Sequence, residues 1–376
     1  MEALIMRFGL HHTGISAGLV CFLCLWSHLS IEAQLGKPPN TQRLPRSNLL
    51  LFRASNGIPV TITHAKEWIK RRKEILDGMT AVMGDMPDDN SRCNLDLRVL
   101  EETDVGSYIR QRITYQTEPG SRTPAYLCIP KRALQPGRKV KAALCLHPTD
   151  DRVGHKVVVG LGGRSGRQYA HELAERGWVT LSPAYPLLAN YQPDLAALGY
   201  ASGTMKAIWD NRRGLDLLAS MPEVDASGFA AIGHSLGGHN AIYTAVLDER
   251  LQVVASSCGF DSFLDYKGGN ILGWTSNRYM PRLLDYELEK IPFDFHELVA
   301  ALAPRGLFIS APLGDTNFKW SSVTKVVRAA RPVFQLLGQD DSLHLMHPKC
   351  GHDFPEEVRH AAYAFMEKTL KQGESH

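Results

Sequence analysis

From residue 141 onward the chain alternates short apolar runs with segments of helical period, and no other feature restricts its fold so sharply. "KAALCLHP", "WVTLSPAYP", "FAAIGHS", "QVVASSCGF" and "GLFISAP" are apolar on successive residues, as strands covered on both faces of a parallel sheet must be. Between them, "GRQYAHELAERG", Thr204 to Ser220 and Leu236 to Leu247 have helical spacing, the first closed by Gly177. A further helix is expected near Val323 to Ala330, with "PVFQLLG" after it as a strand. This is the rhythm of βαβ units, so the fold class is α/β with a mostly parallel sheet flanked by helices. No internal repeat is present.

Upstream, "SYIRQRITYQTEPGSRTPAYLCIPK" reads as strand, turn, strand. Residues 63–83 place Trp68, Ile69, Ile75, Leu76 and Met79 along one helical face, with Thr63 as the expected cap. The run Lys70, Arg71, Arg72, Lys73 lies within helical reach of Glu67 and Glu74 and is expected to be a solvated face. "LGKPPNTQRLPRSN" has the composition of a linker. The first residues run from Arg7, His11 and His12 into "GISAGLVCFLCLWSHLSIEAQ", the form of a secretory signal cut near Ala33. Ser27, His28, Ser30 and Glu32 break that stretch, which is shorter than the roughly 20 clean apolar residues of a membrane span. The expected organisation is a signal peptide over 1–33, a linker and N-terminal extension over 34–107, and the α/β domain over 108–376. The expected location is secreted or periplasmic, with no stable membrane insertion after cleavage.

A formal net charge of +3 over 376 residues, with Lys and Arg scattered, argues against a nucleic-acid partner. Of the 7 cysteines, Cys21 and Cys24 leave with the signal. Cys93, Cys128, Cys145, Cys258 and Cys350 remain, an odd set that permits at most two disulfides.

The run "FAAIGHSLGGHNAI" is the point where a strand enters Gly-x-Ser-x-Gly and leaves as a helix. In such an elbow the serine occupies a strained turn, and glycines stand where side chains would collide. Ser235 is therefore the candidate nucleophile. The Leu236 amide, at the start of the helix, faces the charge that develops on an attacked carbonyl oxygen. A second oxyanion donor should come from the loop after "AALCLH"; Pro148 has no amide hydrogen, so Thr149 is the expected donor.

In "KCGHDFPEEVRHAAYAFMEKTL", His352 sits in a glycine-led loop before a helix, where an imidazole can reach over the sheet edge as general base. His360 falls inside that helix, and His344 and His347 lie on its approach. The grouping of His344, His347, Cys350 and His352 lacks the spacing of a zinc site, so no metal is expected. The orienting acid is expected to be Asp315, in the loop after "GLFISAP"; Asp340 and Asp341, after the next expected strand, and Asp261, after "ASSCGF", are the alternatives.

Two further segments are conspicuous. "GLGGRSG" has Ser165 where a dinucleotide loop carries its third glycine, and no strand ends just before it, so a surface loop is expected. The insertion "YKGGNILGWTSNRYMPRLLDYELEKIPFDF" holds Trp274, Tyr279, Tyr286, Phe293 and Phe295, either over the substrate pocket or packed onto the body.

Through "GHSLGGHNA", "ELAERGWVTLSPAYP" and "CGHDFP" the chain resembles the α/β-hydrolase superfamily. Within it the resemblance is to secreted bacterial dienelactone-hydrolase-like and acetylxylan-esterase-like proteins, over roughly Tyr108 to Leu370. The resemblance implies an eight-stranded sheet, a metal-free Ser235, Asp315, His352 triad without a cofactor, and ester hydrolysis through an acyl-enzyme. Two departures stand out. "HPTD" replaces the His-Gly-Gly-Gly of many lipases, and a dienelactone hydrolase proper has cysteine where Ser235 stands. The expected activity is a secreted serine carboxylic ester hydrolase acting on small-molecule or polysaccharide esters, with acetyl or other short acyl groups as the first candidates. The alternatives are a prolyl-oligopeptidase-type serine peptidase, for which the N-terminal extension is too short to supply the usual gating domain, and a non-catalytic binding protein of the same fold.

Overall fold

A computed structural model describes residues 43–372; the expected signal peptide lies outside them. Eleven strands occur in chain order among these residues: β1 Leu51–Arg53, β2 Pro59–Thr61, β3 Arg98–Asp104, β4 Tyr108–Glu118, β5 Ser121–Pro130, β6 Ala142–Leu146, β7 Val179–Pro183, β8 Phe229–His234, β9 Leu251–Ser257, β10 Gly306–Ser310 and β11 Leu343–Met346. Seven α-helices accompany them: α1 Trp68–Met83, α2 Tyr169–Glu175, α3 Gly203–Ser220, α4 Leu236–Leu247, α5 Phe295–Ala301, α6 Trp320–Leu336 and α7 Glu356–Gln372.

One sheet carries the site, in the order β11-β10-β9-β8-β6-β7-β5-β4-β3. Strands β7, β6, β8, β9, β10 and β11 are mutually parallel, and β5, β4 and β3 continue the sheet antiparallel. Every residue of β6, β7, β8 and β10 is buried, which explains their continuous apolar sequence. One large apolar cluster lies on the face covered by α3, α4 and α6, and a second on the face covered by α2 and α7. Among the described residues no helix is long and apolar enough to cross a membrane.

The sheet has nine strands where eight were expected. The extra one is β3, inside the stretch 34–107 read as linker and extension. "RVLEETD" is exposed at nearly every residue, so it has no apolar alternation to announce it. Its charges pair across to β4, Glu101 with Arg112 at 3.1 Å and Glu102 with Gln111 at 2.8 Å, and they blunt the edge against further strands.

Helix α6 corrects another expectation. Its apolar stripe of Val323, Val326, Val327, Ala330, Val333 and Phe334 runs past Pro332, so the helix does not stop at Ala330 and "PVFQLLG" is not a strand. Burying that stripe outweighs the roughly 3 kcal/mol that an internal proline costs. The final strand is therefore β11, and Asp340 and Asp341 lie in a short turn before it.

Helix α1 forms where expected, preceded by a 3-10 turn whose cap is His64, not Thr63. Glu67 accepts from the amides of Thr63 at 3.0 Å and His64 at 3.2 Å. The basic run is only partly solvated: Arg71 is buried and paired with Glu74 at 2.9 Å and Glu297 at 3.2 Å. Arg72 donates to the carbonyls of Ala301 and Val246, while Ile69 faces solvent. That face of α1 closes on α4 and α5 instead of on water. Arg43 and Arg46 pair with Glu297 at 2.6 Å and Asp294 at 2.9 Å, tying down the described end of the linker.

Candidate active site

Strand β8 delivers Ser235 at the carboxyl edge of the sheet and α4 begins at the next residue. Ser235 has φ 55 and ψ −120, a conformation non-glycine residues rarely adopt and one held here by its surroundings. A Cβ on Gly233 would strike the Gly237 carbonyl, and one on Gly237 would strike the Leu146 carbonyl at the end of β6. The two glycines thus let the elbow close on itself and sit against the neighbouring strand. The Ser235 amide donates to the Ser257 carbonyl at 2.8 Å, fixing the turn to β9.

His352, in the loop between β11 and α7, places Nε2 3.0 Å from Ser235 Oγ. Its Nδ1 lies 2.9 Å and 3.0 Å from the two carboxylate oxygens of Asp315, in the loop after β10. The structure therefore brings Ser235, His352 and Asp315 together in one hydrogen-bonded line. The Asp315 side chain is 1% exposed and that of His352 26%. Burial alone would raise the Asp315 pKa, but the His352 bond and charge, with the amides of Asn317 and Phe318, outweigh it and hold the carboxyl below its ordinary value. An ionised acid against Nδ1 keeps the imidazole proton on that side and leaves Nε2 with a lone pair toward the serine.

The other acids stand elsewhere. Asp340 pairs with Arg331. Asp261 is buried one strand away, where it accepts from the Lys319 amide at 3.0 Å and leaves Oδ1 without a partner. Burial drives its carboxyl up to about 7. His347 spends its nitrogens on the Ala311 carbonyl and Thr324, and His344 stacks on Phe308, so these histidines do not converge with Cys350 and His352. Cys258, Asp315 and His352 do lie close together, but burial pushes the Cys258 thiol well up, so it stays protonated. All five described cysteines are free.

A cavity of about 160 Å³ opens over Ser235 and His352, lined also by Pro148, Thr149, Asp150, Val157, Arg164, Arg167 and His234. The Leu236 N–H opens the first turn of α4, ahead of any carbonyl in the helix that could accept it. His147, at the end of β6, orders the loop opposite. Burial lowers its pKa to about 4, so the ring is neutral. Nε2 accepts from the Tyr185 amide at 2.9 Å, so Nδ1 carries the proton and donates to the Pro148 carbonyl at 2.9 Å. Carbonyl and N–H point opposite ways across a trans peptide, so the Thr149 N–H is turned away from His147. Trp274, Phe293 and Phe295 of the insertion are buried in an aromatic cluster, and Tyr279 packs on His239 of α4. These side chains fasten the insertion to the body.

A model of fungal glucuronyl esterases matches residues 270–338, from the insertion through α6. A solved glucuronoyl esterase from Solibacter usitatus superposes with a TM-score of 0.68 at 19% identity, covering 88% of this chain and 99% of that one. The chain has the α/β-hydrolase fold. The chain is also 23% identical over 312 residues to YtaP of Bacillus subtilis, named as a hydrolase, across 80% of the chain and 99% of the relative. It is 26% identical over 208 residues to the 4-O-methyl-glucuronoyl methylesterase of Hypocrea jecorina, a match spanning 47% of the chain and 43% of that protein.

Sequence reasoning passed over what holds the His352 loop. Arg167, 2% exposed, donates to Asp353 at 2.6 Å and to the His352 carbonyl at 3.4 Å. Burial opposes ionisation of Asp353, but the Arg167 bond and the Phe354 amide prevail and keep its pKa low. The "HDF" that follows the glycine was the available signal: an acid beside a base-bearing loop needs a cation. His147 was likewise visible only as part of "HPTD".

Proposed function

We propose that the protein is a serine carboxylic ester hydrolase acting on esters of carbohydrate polymers through an acyl-enzyme. The observation that carries this reading is the line from Asp315 through His352 to Ser235 Oγ, with Nε2 at 3.0 Å, beneath a small open cavity. Ser235 Oγ attacks the ester carbonyl while His352 Nε2 takes its proton. The oxyanion forms between the Leu236 and Thr149 amides. As the tetrahedral intermediate collapses, the C–O bond to the alcohol breaks and His352 returns the proton to the departing oxygen. Water then attacks the acyl-serine with His352 again as base, and the free acid and Ser235 are released. Asp315 stabilises the imidazolium in both halves.

His147 acts through Thr149: by holding the Pro148 carbonyl it orients the oxyanion donor before substrate arrives. Similarity to glucuronoyl esterases favours esters in which a sugar acid supplies the acyl group, beside the acetyl esters suggested by sequence. The amino-terminal segment is read as an export signal, which places the mature enzyme where such polymers occur.

The test is turnover of short-chain nitrophenyl esters, a uronic acid methyl ester and peptide amides by the mature protein. Ester turnover with negligible amide turnover is expected. Amide turnover of similar efficiency would favour the peptidase reading, and no turnover of any substrate would favour a binding protein.

A further inference from the structure

The "GLGGRSG" segment has Ser165 where a dinucleotide loop carries its third glycine, yet its shape is specific. Gly160, Gly162, Gly163 and Gly166 all have φ between +74 and +101, and a Cβ on Gly163 would lie 2.5 Å from Val157 Cγ2. Only a glycine-rich chain can make this curl, and it sets Arg164 on the rim of the cavity that holds Ser235 and His352.

The charges around that cavity are unequal in their freedom. Asp353 is taken by Arg167 at 2.6 Å, and Arg167 is 3% exposed at its side chain. Asp150 turns its carboxylate onto its own loop, accepting from the amides of Arg152 at 3.0 Å and Val153 at 2.7 Å. Asp315 is spent on His352. Arg164 keeps only a 3.5 Å contact with Asp353, and its side chain is 65% exposed. Among the described residues it is the one cation on the cavity wall left open to a ligand.

We propose that Arg164 binds a carboxylate on the substrate next to the reacting ester, so that the preferred substrates are esters of acidic polysaccharides. A guanidinium matches a carboxylate through two parallel N–H bonds, a geometry a lysine cannot copy. The cavity is small, so a carboxylate on a neighbouring sugar of the polymer would rest on the rim, where Arg164 stands. This rests on the esterase reading and extends it to substrate class.

The test compares two substrates: a uronic acid disaccharide with one carboxyl methylated and the other free, and the same disaccharide with both methylated. The wild-type protein is expected to favour the half-esterified form in kcat/KM, and the preference to weaken with added salt. R164Q should cut that preference about tenfold, through KM, which corresponds to about 1.4 kcal/mol. R164E should invert it, and R164K should restore part of it. A preference that survives R164Q, or a wild type with none while it hydrolyses both forms, overturns the assignment of Arg164 and leaves the esterase reading standing. A wild type that hydrolyses neither form nor any nitrophenyl ester overturns both.

Discussion

Two buried aspartates sit one strand apart at the carboxyl edge of the sheet, and their fates differ. Asp315, after β10, is held ionised by His352 and two backbone amides. Asp261, after β9, accepts from one amide and has no ion-pair partner among the described residues, and burial outweighs the pull of Lys319 and lifts its pKa to about 7. Depth and position in the chain are alike, so neither makes a triad acid. The partner does: a carboxylate becomes an orienting group only where an imidazole stands ready to share its charge.

The sharpest way to break this comparison starts at the other end of the line. S235A and H352A should each lower ester kcat by several orders of magnitude, since what remains is binding and the oxyanion hole. Circular dichroism and melting should show both variants folded. D315N, which leaves the geometry but favours the wrong imidazole tautomer, should cost about four orders of magnitude in kcat by analogy with a well-studied triad. D261N should retain activity within a factor of about two. If D261N is the crippled variant, the two loops have been assigned the wrong way round.

H147A sharpens the comparison from the opposite wall. Loss of an oxyanion donor costs about 10² to 10³ in kcat, and a donor merely loosened should cost less, about tenfold. The fall should appear in kcat with KM little changed; a rise in KM alone would mean that His147 shapes the pocket and does not aim Thr149.

The smallest effect on turnover comes with the clearest effect on stability. Asp261 has a folded pKa of about 7 against an ordinary 3.8, so the native state holds a proton that the unfolded chain gives up. The stability it contributes is complete below about pH 4 and is lost as pH rises through 7. A shift of this size is worth at most about 4 kcal/mol. D261N should therefore melt higher than the wild type at pH 8, with the advantage shrinking toward pH 4; equal melting curves at both would show that the carboxyl is not strained by burial.

The parallel core was legible in sequence because its strands are apolar throughout and its helices periodic. Ser235 and its elbow were legible because glycines at 233 and 237 have few other uses. β3 was hidden, because an exposed, charged edge strand carries no pattern, and the end of α6 was misread, because local proline preference yielded to the burial of Val333 and Phe334. Arg71 and Arg72 were taken for surface because Glu297 and the carbonyls of Ala301 and Val246, which draw them inward, lie more than a hundred residues away. For the same reason the Arg167 to Asp353 latch and the place of Arg164 on the cavity rim became visible only in three dimensions.

The most direct measurement is the rate at which a fluorophosphonate labels the protein, with the modified residue located by mass spectrometry. Labelling needs a serine activated by a correctly oriented histidine, so it reads the whole line at once. The expected result is a single adduct on Ser235, formed at the wild-type rate in D261N and at least a hundredfold more slowly in D315N, as a factor well inside the loss a misoriented histidine causes. An adduct on another residue, or fast labelling in D315N with slow labelling in D261N, would contradict it.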